Sequence, residues 1–137
     1  MITELRRYRV KPGRMPSWLE FFAEAAKGIE AGGARVEYAG VDPETNAFVW
    51  LRTFADEADR QARKAGFYCG DWWGEREAFA MDHILEYEVT FLDAAMHRDG
   101  GTLTSLPWPS GGERPGGRGD APPDGWTDST RRTYVPE

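Results

Sequence analysis

At 137 residues, 13% of them aromatic and six of them Trp, the chain is long enough for one domain with a real core and too short for two. A formal net charge of -6 argues against nucleic acid or an anionic membrane as the main partner, and Arg6, Arg7 and Arg9 sit among carboxylates rather than in a basic stripe. The single Cys69 excludes an intramolecular disulfide and any cysteine-based metal spacing; without a membrane-length apolar run or a signal-peptide start, the expected setting is cytoplasmic.

Residues 2–10 alternate apolar and polar side chains and stop at Pro12-Gly13, which predicts a strand ending in a turn. Ile2, Glu4, Arg6, Tyr8 and Val10 share one face of it; Thr3, Leu5, Arg7 and Arg9 share the other. Met15, Trp18, Leu19, Phe22, Ala26 and Ile29 then recur at steps of three and four, the stripe of an amphipathic helix. Pro16 suits its first turn, and Gly32-Gly33 suits a left-handed stop. A second strand is expected over residues 34–41, with Val36 and Tyr38 on one face. Turn residues 42–46 lead to a third strand over 47–54, which groups Phe48, Trp50, Arg52 and Phe54. A polar helix over 55–65 carries Asp56 and Glu57 at its start and Arg63 and Lys64 at its end, as the helix dipole prefers. Gly66 and Gly70 break it. A short helix over 71–81 turns Trp72 or Trp73, Phe79 and Ala80 inward, and a last strand over 83–92 aligns His83, Leu85, Tyr87, Val89 and Phe91.

The order strand-helix-strand-strand-helix-strand is the split pattern of ferredoxin-like α+β domains. Residues 1–95 form that domain, and residues 96–137, rich in Gly and Pro, read as a tail without regular structure. Helices on one side leave the other face of the sheet bare. That face is expected to carry aromatic and charged residues together, which favours pairing two copies across a two-fold axis as a homodimer, giving a dimeric α+β barrel.

The opening Glu4-Leu5-Arg6-Arg7-Tyr8-Arg9-Val10-Lys11-Pro12-Gly13 resembles the first strand of NIPSNAP-family proteins, which belong to the dimeric α/β barrel superfamily. Val49-Trp50-Leu51-Arg52-Thr53-Phe54 and the charged helix after it resemble that family's third strand and second helix. Asp71-Trp72-Trp73 is similar to its Asp-Pro-Glu-Trp helix start, with Trp73 in the Trp position. The likeness spans roughly residues 2–93 and departs at Asp82-His83-Ile84, where the family often has another basic residue and a proline. It implies the fold and the dimer more firmly than an activity. Related barrels include cofactor-free monooxygenases, polyketide cyclases and haem-degrading enzymes.

His83 at the mouth of an apolar strand face is placed for proton transfer, or for a purely structural hydrogen bond at a strand end. Cyclases that the resemblance brings in use a His on the last strand with a nearby Tyr, which makes His83 and Tyr87 the catalytic pair. Arg6 and Tyr8 on the first strand suit an enolate or carboxylate; the alternative is an ion network of Arg6, Arg52, Glu86 and Glu88 sealing the dimer seam. Trp73, Trp72 and Trp50, with Tyr38 and Phe22, are the candidate walls of a substrate cavity. The spacing of Trp73 and His83 looks like that of haem-degrading monooxygenases, but the first strand lacks their Asn, and His83 lies at a strand start rather than on a helix. His83, His97 and Asp82 do not make a metal set, so neither metal nor cofactor is expected.

These readings leave a small cofactor-independent enzyme of cyclase, isomerase or monooxygenase type, acting on a hydrophobic, aromatic or polyketide-like small molecule. A non-catalytic dimeric module that binds a ligand or protein is the alternative, and a haem-handling barrel the third.

Overall fold

Strict alternation on the first strand organises the molecule. On β1 (Ile2–Val10), residues Ile2, Glu4, Arg6, Tyr8 and Val10 are buried and those between them are not, the period of two of a strand covered on one side. The architecture comes from a computed structural model, and the structure describes residues 1–108. After β1 come α1 (Met15–Ala31), β2 (Arg35–Asp42), β3 (Ala47–Phe54), α2 (Glu57–Tyr68), α3 (Asp71–Met81) and β4 (Ile84–Asp93). The strands form one antiparallel sheet in the order β2-β3-β1-β4, so the α+β ferredoxin-like topology is present. Local chemistry sets the joints. Pro16 lies in the first turn of α1, the Asp56 side chain caps α2 by accepting from the Asp59 N–H, and Asn46 takes φ 54 in the β2–β3 turn. From there its side-chain amide donates to the Val10 carbonyl at 2.8 Å.

The helices cover the face that carries Glu4, Arg6, Tyr8, Phe48, Trp50 and Arg52, all of them buried. The bare face carries Leu5, Arg7, Arg9, Tyr38, Val49, Leu51, Glu86 and Glu88, and its ion pairs are cross-strand ones such as Arg9 to Glu86 at 3.2 Å. Arg6 and Arg52 therefore do not join Glu86 and Glu88; the sheet lies between the two pairs.

Further differences from the expected elements are local. A bulge at Glu37 shifts the β2 register, so Val36 pairs with Arg52 but Tyr38 pairs with Leu51 on the bare face, where Tyr38 is 59% exposed. A second irregularity leaves Leu85 without a partner in the register, and β4 begins at Ile84, so His83 immediately precedes the strand it was expected to begin. Along α1 the buried stripe includes Phe21 and Ala25, with Leu19 exposed, because Phe21 must also reach Trp72, 5.6 Å away between ring centres. α2 runs through Gly66 to Tyr68, and Phe79 on α3 points outward.

Part of the supposed tail is regular. Residues 96–105 form a hairpin of β5 (Met96–Asp99) and β6 (Thr102–Ser105), turned at Gly100-Gly101 with Gly100 at φ 63. Trp126 and Tyr134, with the rest of residues 109–137, lie outside the described residues.

Candidate functional site

A buried ion cluster forms the floor of the candidate site. Glu4 on β1 accepts from Arg6 Nη1 at 2.8 Å, Arg52 Nε at 2.8 Å, Arg60 Nε at 2.6 Å and, more distantly, Lys64 Nζ at 3.4 Å. Glu57 is the second carboxylate, contacting Arg60 Nη1 at 3.2 Å. Arg60, Lys64 and Tyr68 lie four residues apart on α2, so one helix face delivers all three to the sheet. Burial by itself pushes the Glu4 carboxyl up, but Arg52, Lys64, Arg6 and Arg60 together hold it well below the usual range. Burial lowers the Lys64 pKa to about 8 and outweighs the attraction of Glu4. Sequence reading left this cluster out because α2 looked like a solvated charged helix. The available signal was the lack of any apolar stripe on a helix that has to face a sheet.

Above the cluster, between sheet and helices, is an aromatic cavity of about 20 Å³, room for about one water. Trp50 and Tyr8 from the sheet, Trp18 and Phe22 from α1, Tyr68 from α2 and Trp73 from α3 are among its lining residues. The indole N–H groups of Trp18, Trp50 and Trp73 are buried and have no acceptor among the described residues, and the same holds for Arg52 Nη2. Tyr8 Oη accepts from Arg6 Nε at 2.8 Å, which leaves its own proton available for another partner. The Arg52 guanidinium carbon lies 4.9 Å from the Trp50 ring centre and 5.5 Å from that of Tyr68, so positive charge stands directly behind the wall.

Phe67 lies between this cavity and an outer cleft. It lines both the cavity and that cleft of about 510 Å³, whose other lining residues include Gly28, Gly32, Gly66, Gly70 and Trp72. A Cβ on Gly28 would sit 3.1 Å from the Phe67 ring, so that glycine provides the seat in which the ring rests.

The expected site residues divide into two groups. Arg6, Tyr8, Trp50, Trp73 and Phe22 come together at the cavity or immediately behind it. Trp72 belongs to the outer cleft, where Arg76 lies over its ring at 4.6 Å. Tyr38 is on the opposite face of the sheet. Tyr87 is half-buried with its ring edge-on to Tyr8, centroids 6.2 Å apart. His83 is wholly buried outside the cavity lining. Its Nδ1–H donates to the Phe79 carbonyl at 2.8 Å, so Nε2 accepts from the Ser17 hydroxyl at 2.8 Å. Acting as a haem ligand would require Nε2 to give up Ser17. Among the described residues no three His, Cys, Asp or Glu side chains gather as a metal site, and no helix is long and apolar enough to cross a membrane.

Comparison with known proteins places the fold. The family model described as NIPSNAP matches residues 3–96, well over half of the chain. The chain belongs to the NIPSNAP family. No protein with a curated description matches it. Among solved structures it is similar to an uncharacterised NIPSNAP domain protein from Burkholderia xenovorans, at 24% identity and TM-score 0.64, covering 72% of this chain and 100% of that one. A NIPSNAP family protein from Agrobacterium tumefaciens is 22% identical with TM-score 0.59, covering 66% of this chain and 82% of that one. An antibiotic biosynthesis monooxygenase is 15% identical with TM-score 0.54, covering 69% and 98% respectively. At these identities the neighbours establish a shared ferredoxin-like fold, and the family carries no established activity into this NIPSNAP domain.

Proposed function

We propose that this NIPSNAP domain is a small cofactor-independent enzyme, and that its substrate is a hydrophobic, aromatic or polyketide-like molecule whose carbonyl oxygen gains charge as its α-proton passes to a water molecule, for which the cavity has room. The observation that carries this reading is that three side chains lining one cavity, Trp18, Trp50 and Trp73, have buried indole N–H groups with no acceptor among the described residues. Left unmade, each such hydrogen bond costs about 1–3 kcal/mol, and a substrate oxygen recovers part of it. Donors already in place where charge develops are the arrangement that accelerates enolisation, cyclisation or carbanion oxygenation. Tyr8, held by Arg6, adds its hydroxyl proton to that set. His83 serves the wall from behind, with its ring 6.0 Å from Trp18. Entry would swing Phe67 aside and join the cavity to the outer cleft, which by itself has the volume of a small-molecule site. The fold shared with an antibiotic biosynthesis monooxygenase is compatible with such chemistry.

Solvent deuterium exchange at the α-carbon of α-tetralone, an enolisable aromatic ketone, tests the reading by NMR. The native protein should accelerate exchange, and Tyr8→Phe, still folded, should be about 100-fold slower or fall to background. Equal rates with and without protein would overturn it. The second reading, a binding module without catalysis, is favoured by the small cavity volume and by the engagement of both His83 ring nitrogens. It predicts that aromatic probes bind and no exchange follows. Either reading includes a homodimer closed across the bare face, where Leu5, Val49 and Leu51 are half-buried in the single chain. Sedimentation in dilute solution would then show twice the protomer mass.

A further inference from the structure

Ser17 and His83 form a second constellation, and neither lines the aromatic cavity. Ser17 is an exposed residue in the first turn of α1, and its hydroxyl meets Nε2 of the wholly buried His83 at 2.8 Å. The His83 Nδ1–H donates to the Phe79 carbonyl at 2.8 Å, which fixes the tautomer and leaves the Nε2 lone pair facing the Ser17 hydroxyl. An accessible hydroxyl, a base in hydrogen-bond contact with it and a third group that orients the base are the parts of an activated nucleophile.

The backbone holds the pair in register. The Lys11 N–H donates to the His83 carbonyl at 2.8 Å, and the Arg14 N–H donates to the Lys11 carbonyl at 3.0 Å, so the turn before α1 is tied to the junction of α3 and β4. Donors for a developing oxyanion stand at the same place. Arg14 Nη2 is 3.4 Å from His83 Nε2 and 3.1 Å from the Asp82 carboxylate, which puts a guanidinium beside the dyad. α1 has no side-chain cap, and the amides of a first turn, that of Ser17 among them, have no carbonyl of their own helix to reach. Phe79 is 52% exposed with its ring centre 4.8 Å from that of His83, an apolar surface next to the hydroxyl's base.

We propose that Ser17 is an acyl-accepting nucleophile with His83 as its general base, acting on activated acyl esters, oxygen or sulfur, with an apolar acyl group. Ser17 Oγ bonds to the acyl carbon as its proton passes to Nε2; the bond to the leaving oxygen or sulfur breaks, and that atom takes the proton. Water then attacks the acyl carbon, gives its proton to Nε2 and releases a carboxylic acid, while Ser17 Oγ recovers the proton. Nδ1 faces a neutral carbonyl rather than a carboxylate, so the imidazolium gains less support than in a triad. The dyad therefore acts on leaving groups that depart easily.

Hydrolysis of p-nitrophenyl butyrate and labelling with a fluorophosphonate, mapped by peptide mass spectrometry, test this on the full chain. The native protein should hydrolyse the ester above the buffer rate and carry the phosphonyl group on Ser17. Ser17→Ala, an exposed change to a good helix former, should lose about 100-fold or more of the rate. His83→Gln should label at Ser17 about 100-fold more slowly; circular dichroism checks its fold, and if it is unfolded the two Ser17 results decide. Turnover undiminished in Ser17→Ala, no adduct on Ser17, or native-rate labelling of a folded His83→Gln overturns the inference. None of these outcomes bears on the aromatic cavity, which the ketone exchange tests separately.

Discussion

Lys64→Met replaces a buried ammonium with an uncharged side chain of similar length. Burial lowers the Lys64 pKa from 10.5 to about 8; Glu4 returns only part of the loss, and Arg52, Arg6 and Arg60 oppose it. At pH 7 both folded and unfolded chains hold the proton, so the folded state bears the full penalty. Between about pH 8 and 10.5 the folded state has released the proton and the unfolded state has not; the unfolded state then binds more protons, and stability rises with pH. At about 1.4 kcal/mol per pKa unit the penalty is of order 3 kcal/mol. Methionine removes it but also forfeits the attraction to Glu4, which keeps three arginines. The variant should therefore be about 1–3 kcal/mol more stable at pH 7, with the gain shrinking toward pH 10. Urea unfolding of both proteins at pH 7, 8, 9 and 10 measures this. A variant that is less stable at pH 7, or a difference that does not change with pH, would refute the reasoning.

Removing the carboxylate does the reverse. Glu4→Gln strands the surrounding cations and should cost about 3–5 kcal/mol by urea unfolding at pH 7. The contribution of Glu4 is present above its usual 4.5 and is lost as pH falls toward its depressed folded value, so the variant should lack that part of the acid slope seen in the native protein. Gly74 lies inside α3 with open space where a Cβ would go, so Gly74→Ala should raise stability by about 0.5–1 kcal/mol in thermal unfolding. His83→Ala opens a hole behind Trp18 and removes the hydrogen bonds to the Phe79 carbonyl and the Ser17 hydroxyl; a loss of about 2–4 kcal/mol by denaturant titration is expected.

Much of the fold was legible because it follows from periodicity. The alternation of residues 2–10, the three-four spacing from Met15 to Ile29 and the run from Phe48 to Phe54 each placed an element within a residue or two. Bulges do not announce themselves in this way. An extra residue at Glu37 or Leu85 is defined by the strand opposite, and the one at Glu37 was enough to move Tyr38 off the site. The aromatic wall was partly visible: Trp50, Trp73 and Phe22 were identified, whereas Trp18 passed as one more core residue on an apolar stripe. Arg60 and Lys64 were hidden for a different reason. A charged helix reads as solvated unless its partner face is known to carry the compensating Glu4.

The most direct measurement is a crystal structure of the protein soaked with α-tetralone. The account predicts its rings in the aromatic cavity beside Trp50 and Trp73, with Phe67 swung out of its seat against Gly28. Tetralone bound only on the exposed surface, with Phe67 still in its seat, would contradict it.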